Sequence, residues 1–266
     1  MNPPTRPTAS ARPPWPVLRR RHPGIALDLG STRTRAWTAE HGLILDVPTV
    51  TFTDATTSHP IRRGSIVDAP GTAHMLRRLL AHRLPRTARP HIVITTPVHD
   101  QLAYRAQARA AVEALRPSLV TTIPAARAIS HAAQSDPTQP RLVIDIGAHL
   151  TEIVLLAHDT IHDARSTPLG THDIQHRTLS AKHLADALTG MAASIHDNDP
   201  TGHTAQALAH GPLLAGGGAL DPDITHHLAH GLHTPLHTLP APHTAALRGA
   251  IGQLARSHPR REGDPR

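Results

Sequence analysis

The chain contains no cysteine, which excludes disulfides and every thiolate metal site. Aromatic residues are almost missing too. With two Trp, one Tyr and one Phe in 266 residues, any core has to be built from Leu, Ile, Val and Ala. Lys182 is the single lysine, so nearly all positive charge is carried by arginine. No apolar run approaches the roughly 20 residues that span a bilayer. Residues 1–23 also lack the apolar centre of a signal peptide. These absences together lead to the expectation of a cytoplasmic protein.

The length allows one large domain or two of roughly 120 residues each, and 39% hydrophobic content suffices for a core. The 26 Pro, 24 His and abundant Ala and Arg read as the bias of a GC-rich coding sequence. Much of the +7 formal charge sits near the ends, at Arg19, Arg20, Arg21, Arg260, Arg261 and Arg266. No interleaved aromatic and basic pattern accompanies it, so no nucleic-acid partner is expected. Residues 1–23 read as a disordered Pro/Arg-rich tail and 258–266 as a second one. Trp15 beside the three arginines has the pattern of a weak membrane-surface contact.

Between the tails a pattern occurs twice. Residues 24–29 (GIALDL) end in Asp28 and run into Gly30-Ser31-Thr32, followed by strand patterns at 34–39 and 43–47. Residues 141–146 (RLVIDI) end in Asp145 and run into Gly147-Ala148-His149, followed by strand patterns at 151–157 and 160–164. Asp28 aligns with Asp145, Gly30 with Gly147, Thr34 with Thr151 and Gly42 with Asp159. Behind each meander comes strand–helix alternation. Helices are predicted at 72–82, 102–115, 125–133, 181–196, 221–230 and 244–255, and strands at 91–96, 119–123, 212–215 and 236–239. The fold class is therefore α/β and duplicated, with half-domains at 24–137 and 138–257 around a cleft.

A strand that ends in Asp before a Gly-containing hairpin suits a nucleotide. Turn amides point at phosphate oxygens, and the carboxylate holds a magnesium ion, usually through its waters. Two such hairpins facing each other would clamp phosphates from both sides. The glycine triplet Gly216-Gly217-Gly218, between a strand and a helix, lets backbone approach a flat ligand. An ordinary strand-end turn and a flexible helix entry are the plainer readings of each element taken alone. A separate feature is the histidine group His226, His227, His230, His233 and His237, in which His226 and His230 share a helical face. It offers a zinc site or simply a solvated face.

Residues 25–37, 142–154 and 213–220 resemble, in order and spacing, the two phosphate motifs and the adenosine motif of the actin, sugar-kinase and heat-shock-chaperone superfamily. Within it the chain is most similar to the MreB family of cell-shape proteins. The stretch His59 to Asp68 (HPIRRGSIVD) resembles R-P-x-x-x-G-x-I-x-D. Val47-Pro48-Thr49-Val50 and residues 91–99 (HIVITTPVH) resemble two further segments of that family. The resemblance covers residues 24–255 and implies a ribonuclease-H-like, actin-like ATPase fold. It implies ATP and Mg2+ as cofactors, with Asp28, Gly30, Ser31, Thr32, Arg33, Asp145, Gly147, Ala148, His149, Gly216, Gly217 and Gly218 at the nucleotide and Asp28 and Asp145 at the metal. The implied partners are cell-shape or cytoskeletal proteins, MreB-like subunits among them.

The departures weigh against turnover. The family places Glu before a Pro-x-Ala-Ala segment to position the attacking water, and here Ile123 precedes Pro124. Ala148 and His149 replace glycines in the second motif, and Arg33 replaces a small polar residue in the first. Only short links stand at 53–60 and 170–181, where the family inserts its outer lobes. The sequence therefore points to an actin-like cell-shape protein with a degenerate ATP-binding cleft, acting mainly through protein contacts. An active ATPase, a small-molecule kinase and a histidine-based metal protein are the alternatives.

Overall fold

The computed structural model describes residues 24–257 apart from 54, 55, 86 and 100. The tail features, Trp15 and its arginines included, lie outside the described residues.

The first half opens with β1 (Gly24–Leu29), β2 (Arg33–Thr38) and β3 (Gly42–Pro48), an antiparallel meander. Two small hairpins follow, β4 (Thr51–Thr53) with β5 (Thr56–Ser58), and β6 (Ile61–Arg62) with β7 (Ser65–Ile66). Then come α1 (Ala69–Leu80), β8 (His91–Thr96), α2 (Gln101–Val112), β9 (Leu119–Pro124) and α3 (Ala125–Ala132). The second half repeats the meander with β10 (Arg141–Ile146), β11 (Thr151–Ala157) and β12 (Thr160–Thr167). It continues with α4 (Thr171–Gln175), α5 (Ala181–Asp197), α6 (His203–Ala209), β13 (Leu213–Ala215), α7 (Pro222–Leu232), β14 (His237–Thr238) and α8 (Ala245–Ser257).

The two sheets have the same plan. One runs β3-β2-β1-β8-β9 and the other β12-β11-β10-β13-β14, each an antiparallel meander continued by parallel strands. Parallel neighbours require crossover helices, and these cover the sheets. Ile25, Leu27, Ile92 and Ile94 meet Leu76 and Leu80 in the first core, and Leu142, Ile144 and Ile146 meet Leu184, Leu188 and Ile195 in the second. Strand alternation sends the other faces into a shared interior. There Ala26, Val93 and Ile123 pack with Ala128 of α3 and with Leu247, Ala250 and Leu254 of α8.

The sequence placed the main strands and helices within a few residues. It missed the two small hairpins, α4 and α6, which are too short for a periodic signal. The motif from His59 to Asp68 turns out to be structural. Arg63 and Gly64 take positive φ (46° and 78°) in the hairpin turn, and Asp68 caps α1 through Gly71 N–H at 2.8 Å. Between Thr51 and Ser58 the chain is a two-stranded hairpin, and between Thr167 and Ala181 it adds only the five-residue α4.

The halves are tied together by charge as well as packing. Arg63 bonds the Pro168 carbonyl and reaches Asp173 at 3.3 Å. Asp159, in the β11–β12 turn, accepts from Arg127 Nη2 at 2.6 Å and pairs with His131 Nε2 at 2.8 Å on α3. Partial burial of the Asp159 carboxyl raises its pKa, but those two partners outweigh it and hold the pKa below the usual value. A lowered carboxylate pKa adds stability above the unfolded value, and that stability is lost as pH falls through the folded one. Asp159→Asn should therefore destabilise the fold by about 1 kcal/mol at pH 7, since Arg127 is partly solvated. The difference from wild type should vanish in acid, as read from urea melts at pH 7 and below pH 3.

Candidate functional site

Both aspartate hairpins face one cavity of about 560 Å3 between the halves. The hairpins are built alike. Gly30 N–H donates to Arg33 O at 3.0 Å, and Gly147 N–H donates to Leu150 O at 2.9 Å. A Cβ on either glycine would lie 2.8 or 2.6 Å from that same carbonyl, so neither turn closes with any other residue. The first loop is braced from outside. Thr49 donates its hydroxyl to Gly30 O at 2.7 Å and bonds the buried Thr34 hydroxyl at 2.8 Å, while Tyr104 donates to Leu29 O at 3.0 Å. Carbonyls of the second loop are taken up by Thr171 N–H and His172 N–H at 3.1 and 2.9 Å. Among the described residues no acceptor meets the amides of Ser31, Thr32 or Ala148, and all three residues line the cavity.

Of the residues expected at a nucleotide, Asp28, Gly30, Ser31, Thr32, Arg33, Asp145, Gly147, Ala148, Gly216 and Gly217 line this cavity. His149 and Gly218 do not. His149 turns to the ring of His172, 4.3 Å away, with its Nδ1 buried and unbonded. Burial, the nearby His172 and further positive groups lower the His149 pKa despite Asp173. Gly218 is buried against Ile146, where a Cβ would come within 2.2 Å. Arg33 faces the cavity rim but is engaged: its Nε donates to Asp46 Oδ1 at 2.6 Å and its Nη2 to Asp46 O at 2.7 Å.

The structure adds residues that motif reading passed over. Arg35, Asp46, Thr95, Tyr104 and Glu152 all line the cavity. Glu152 had a visible signal, being the one charge in the strand TEIVLLA and two-residue-periodic with the cleft face. Its carboxylate accepts Val98 N–H at 2.9 and 3.1 Å and His99 N–H at 3.0 Å, which fastens the loop after β8 to the second half.

The cleft floor is crowded with carboxylates. Asp145 has its pKa pushed up to about 7, by burial first and then by Glu152 and Asp28. Asp28 is also raised, by burial, although Thr95 and Arg35 oppose this. Asp28 Oδ1 accepts the Thr95 hydroxyl at 2.7 Å, and Oδ2 lies 3.6 Å from Arg35 Nη1. Among the described residues no donor reaches the Asp145 carboxylate, so it fits a magnesium ion held through waters. Asp28 is already occupied by protein donors. No group of three or more His, Asp or Glu side chains among the described residues is placed to hold a metal, the α7 histidines included.

The MreB/Mbl protein family model matches residues 51–181. The fold is that of MreB5 of Spiroplasma citri bound to ADP, with a TM-score of 0.75 at 14% identity over 89% of this chain and 98% of that one. The chain has the actin-like fold, and its residues 51–181 match the MreB/Mbl family. The same actin-like fold recurs in the MamK double helical filament, with a TM-score of 0.69 at 14% identity over 89% of this chain and 99% of that one. It recurs again in the ethanolamine utilization protein EutJ from Carboxydothermus hydrogenoformans, with a TM-score of 0.62 at 15% identity over 86% and 88%. No curated protein matches the chain by sequence.

The raised Asp145 pKa makes the stability of the fold depend on pH. A carboxyl whose folded pKa exceeds its unfolded value binds a proton on folding, so stability falls as pH rises from about 4 to about 7. Asp145→Asn should remove that slope. In EDTA it should be more stable than wild type at pH 8 by roughly 1–4 kcal/mol, with little difference at pH 4.

Proposed function

We propose that the chain is an actin-like cell-shape or cytoskeletal protein whose cleft binds an adenine nucleotide weakly and hydrolyses it little, so that it works mainly through contacts with other proteins, MreB-like subunits among them. One observation carries this reading. Both hairpins turn unpaired amides to the cavity, but the position before Pro124 is Ile123, 3% exposed and packed in the apolar cluster under α8. It does not line the cavity. A hydrolytic water needs a partner that orients it, and orientation accounts for several kcal/mol of barrier. Glu152, a carboxylate of the cleft, is taken up by the Val98 and His99 amides.

The free amides of Ser31, Thr32 and Ala148 support phosphate binding by the two loops, with Asp145 as the residue for Mg2+. That MreB5 was crystallised with ADP and with AMPPNP fits the same ligand class. The MamK structure is a filament, which supports self-association as one mode of contact. No helix among the described residues is long and apolar enough to cross a membrane. A weak membrane-surface contact through Trp15 and Arg19 to Arg21 remains part of the proposal.

An active ATPase is the second reading, and one observation favours it. A carboxyl titrating near 7 is suited to general-base work, and Asp145 is such a group. Steady-state phosphate release separates the two. The expected outcome is release at buffer background for wild type and for Asp145→Ala alike, with Ile123→Glu rescuing nothing because it drives a carboxylate into an apolar cluster. Robust release that Asp145→Ala abolishes would put the ATPase reading first.

A further inference from the structure

One short stretch of chain touches both aspartate hairpins. Thr95, next to last in β8, donates its hydroxyl to Asp28 Oδ1 at 2.7 Å and so is bound to the first hairpin. Three residues later the chain is docked on the second half. Glu152 accepts the Val98 and His99 amides there, and the Val98 side chain packs against the apolar cluster that holds Val143 and Val154. Glu152 stands opposite Asp145 in the β10–β11 register, and directly opposed residues share a face of the sheet. The stretch from Thr95 to His99 therefore ends on Asp28 at one side and beside Asp145 at the other.

Such a link transmits motion only if it is short and stiff, and it is both. Three residues reach at most about 11 Å when fully extended, so little slack separates Thr95 from Val98. Thr95 and Thr96 are paired with Ile123 and Pro124 of β9, and Pro97 has its φ fixed by its own ring. The far end is firm as well. Glu152 is 4% exposed, so releasing it strands a carboxylate and two amides in a space that water hardly reaches. We propose that residues 95–99 are a tie between the two aspartate hairpins. When the second half draws away at Glu152, the tie pulls Thr95 from Asp28, so the two hairpins open and close as one unit. Thr95 and Glu152 are positioning residues in this scheme. The effect on a ligand rests on reading the cleft as a nucleotide site, whereas the tie itself does not.

Two independent contacts would not feel one another, so the test cuts the tie at one end and reads the other. Amide hydrogen exchange is followed by NMR on the full chain, in EDTA and without nucleotide. Thr95→Val should speed exchange at Val98 and His99 by about tenfold or more, while Ile144 and Leu155 of the second core stay within about twofold. Thr95→Ser, which keeps the hydroxyl, should match wild type. If Thr95→Val does not fold, Asp28→Ala cuts the same bond from β1 and is read the same way. Unchanged exchange at Val98 and His99 would overturn the proposal, as would equal speeding at all four amides. Calorimetric titration of ADP then reads the cleft. Thr95→Val and Glu152→Gln should each weaken ADP by about fivefold or more. The double variant should stay within about twofold of the weaker single, because one tie is cut either way. Losses that simply add would overturn the coupling. ADP that fails to bind wild type would sink the nucleotide reading and leave the exchange result to judge the tie.

Discussion

Two strands end in carboxylates that point into the same cavity, and the rest of the site is arranged around the cost of putting them there. Like charges in a poorly solvated space raise one another's pKa and need a counter-charge or a ligand. The protein answers differently at its two copies. At Asp28 the answer is internal, from the Thr95 hydroxyl and the Arg35 guanidinium. At Asp145 no donor among the described residues supplies it, and the neighbouring Glu152 is a second carboxylate, itself fastened by backbone amides. The cleft is therefore asymmetric in charge although its backbone is nearly symmetric.

That backbone symmetry follows from one steric requirement met twice. Each aspartate hairpin closes through a glycine N–H whose Cα faces the accepting carbonyl too closely for a side chain. The turn leaves amides after the glycine unpaired, and the flanking structure holds them: Thr49, Thr34 and Tyr104 on one side, and the first turn of α4 on the other. Ala148 is accommodated in this arrangement because its carbonyl is anchored by His172 N–H and its own amide still meets the cavity. Binding geometry and water-positioning geometry thus come apart. The former sits in the loops, and the latter would need a polar group where Ile123 packs into the core between the halves.

Much of this was legible in the sequence, because the duplication wrote it twice. The Asp-x-Gly pair, the Gly216 triplet and the strand–helix alternation pointed to the fold class, and ten of the residues they singled out line the cavity. His149 and Gly218 sat inside the quoted motifs but face His172 and Ile146 instead, since adjacent loop residues need not share a direction. Arg35, Asp46 and Glu152 were harder to see. Their role depends on cross-strand register, and a register is visible only once the turns between strands are known. Thr95 and Tyr104 reach the first loop from β8 and α2, 67 and 75 residues away in the chain, which no local pattern reports.

A crystal structure of the chain grown with ADP would test the account most directly. It predicts the diphosphate between the amides of Ser31 and Thr32 and that of Ala148, with any metal on the Asp145 side. ADP bound elsewhere, or a metal ion ligated by Asp28 and not by Asp145, would contradict it.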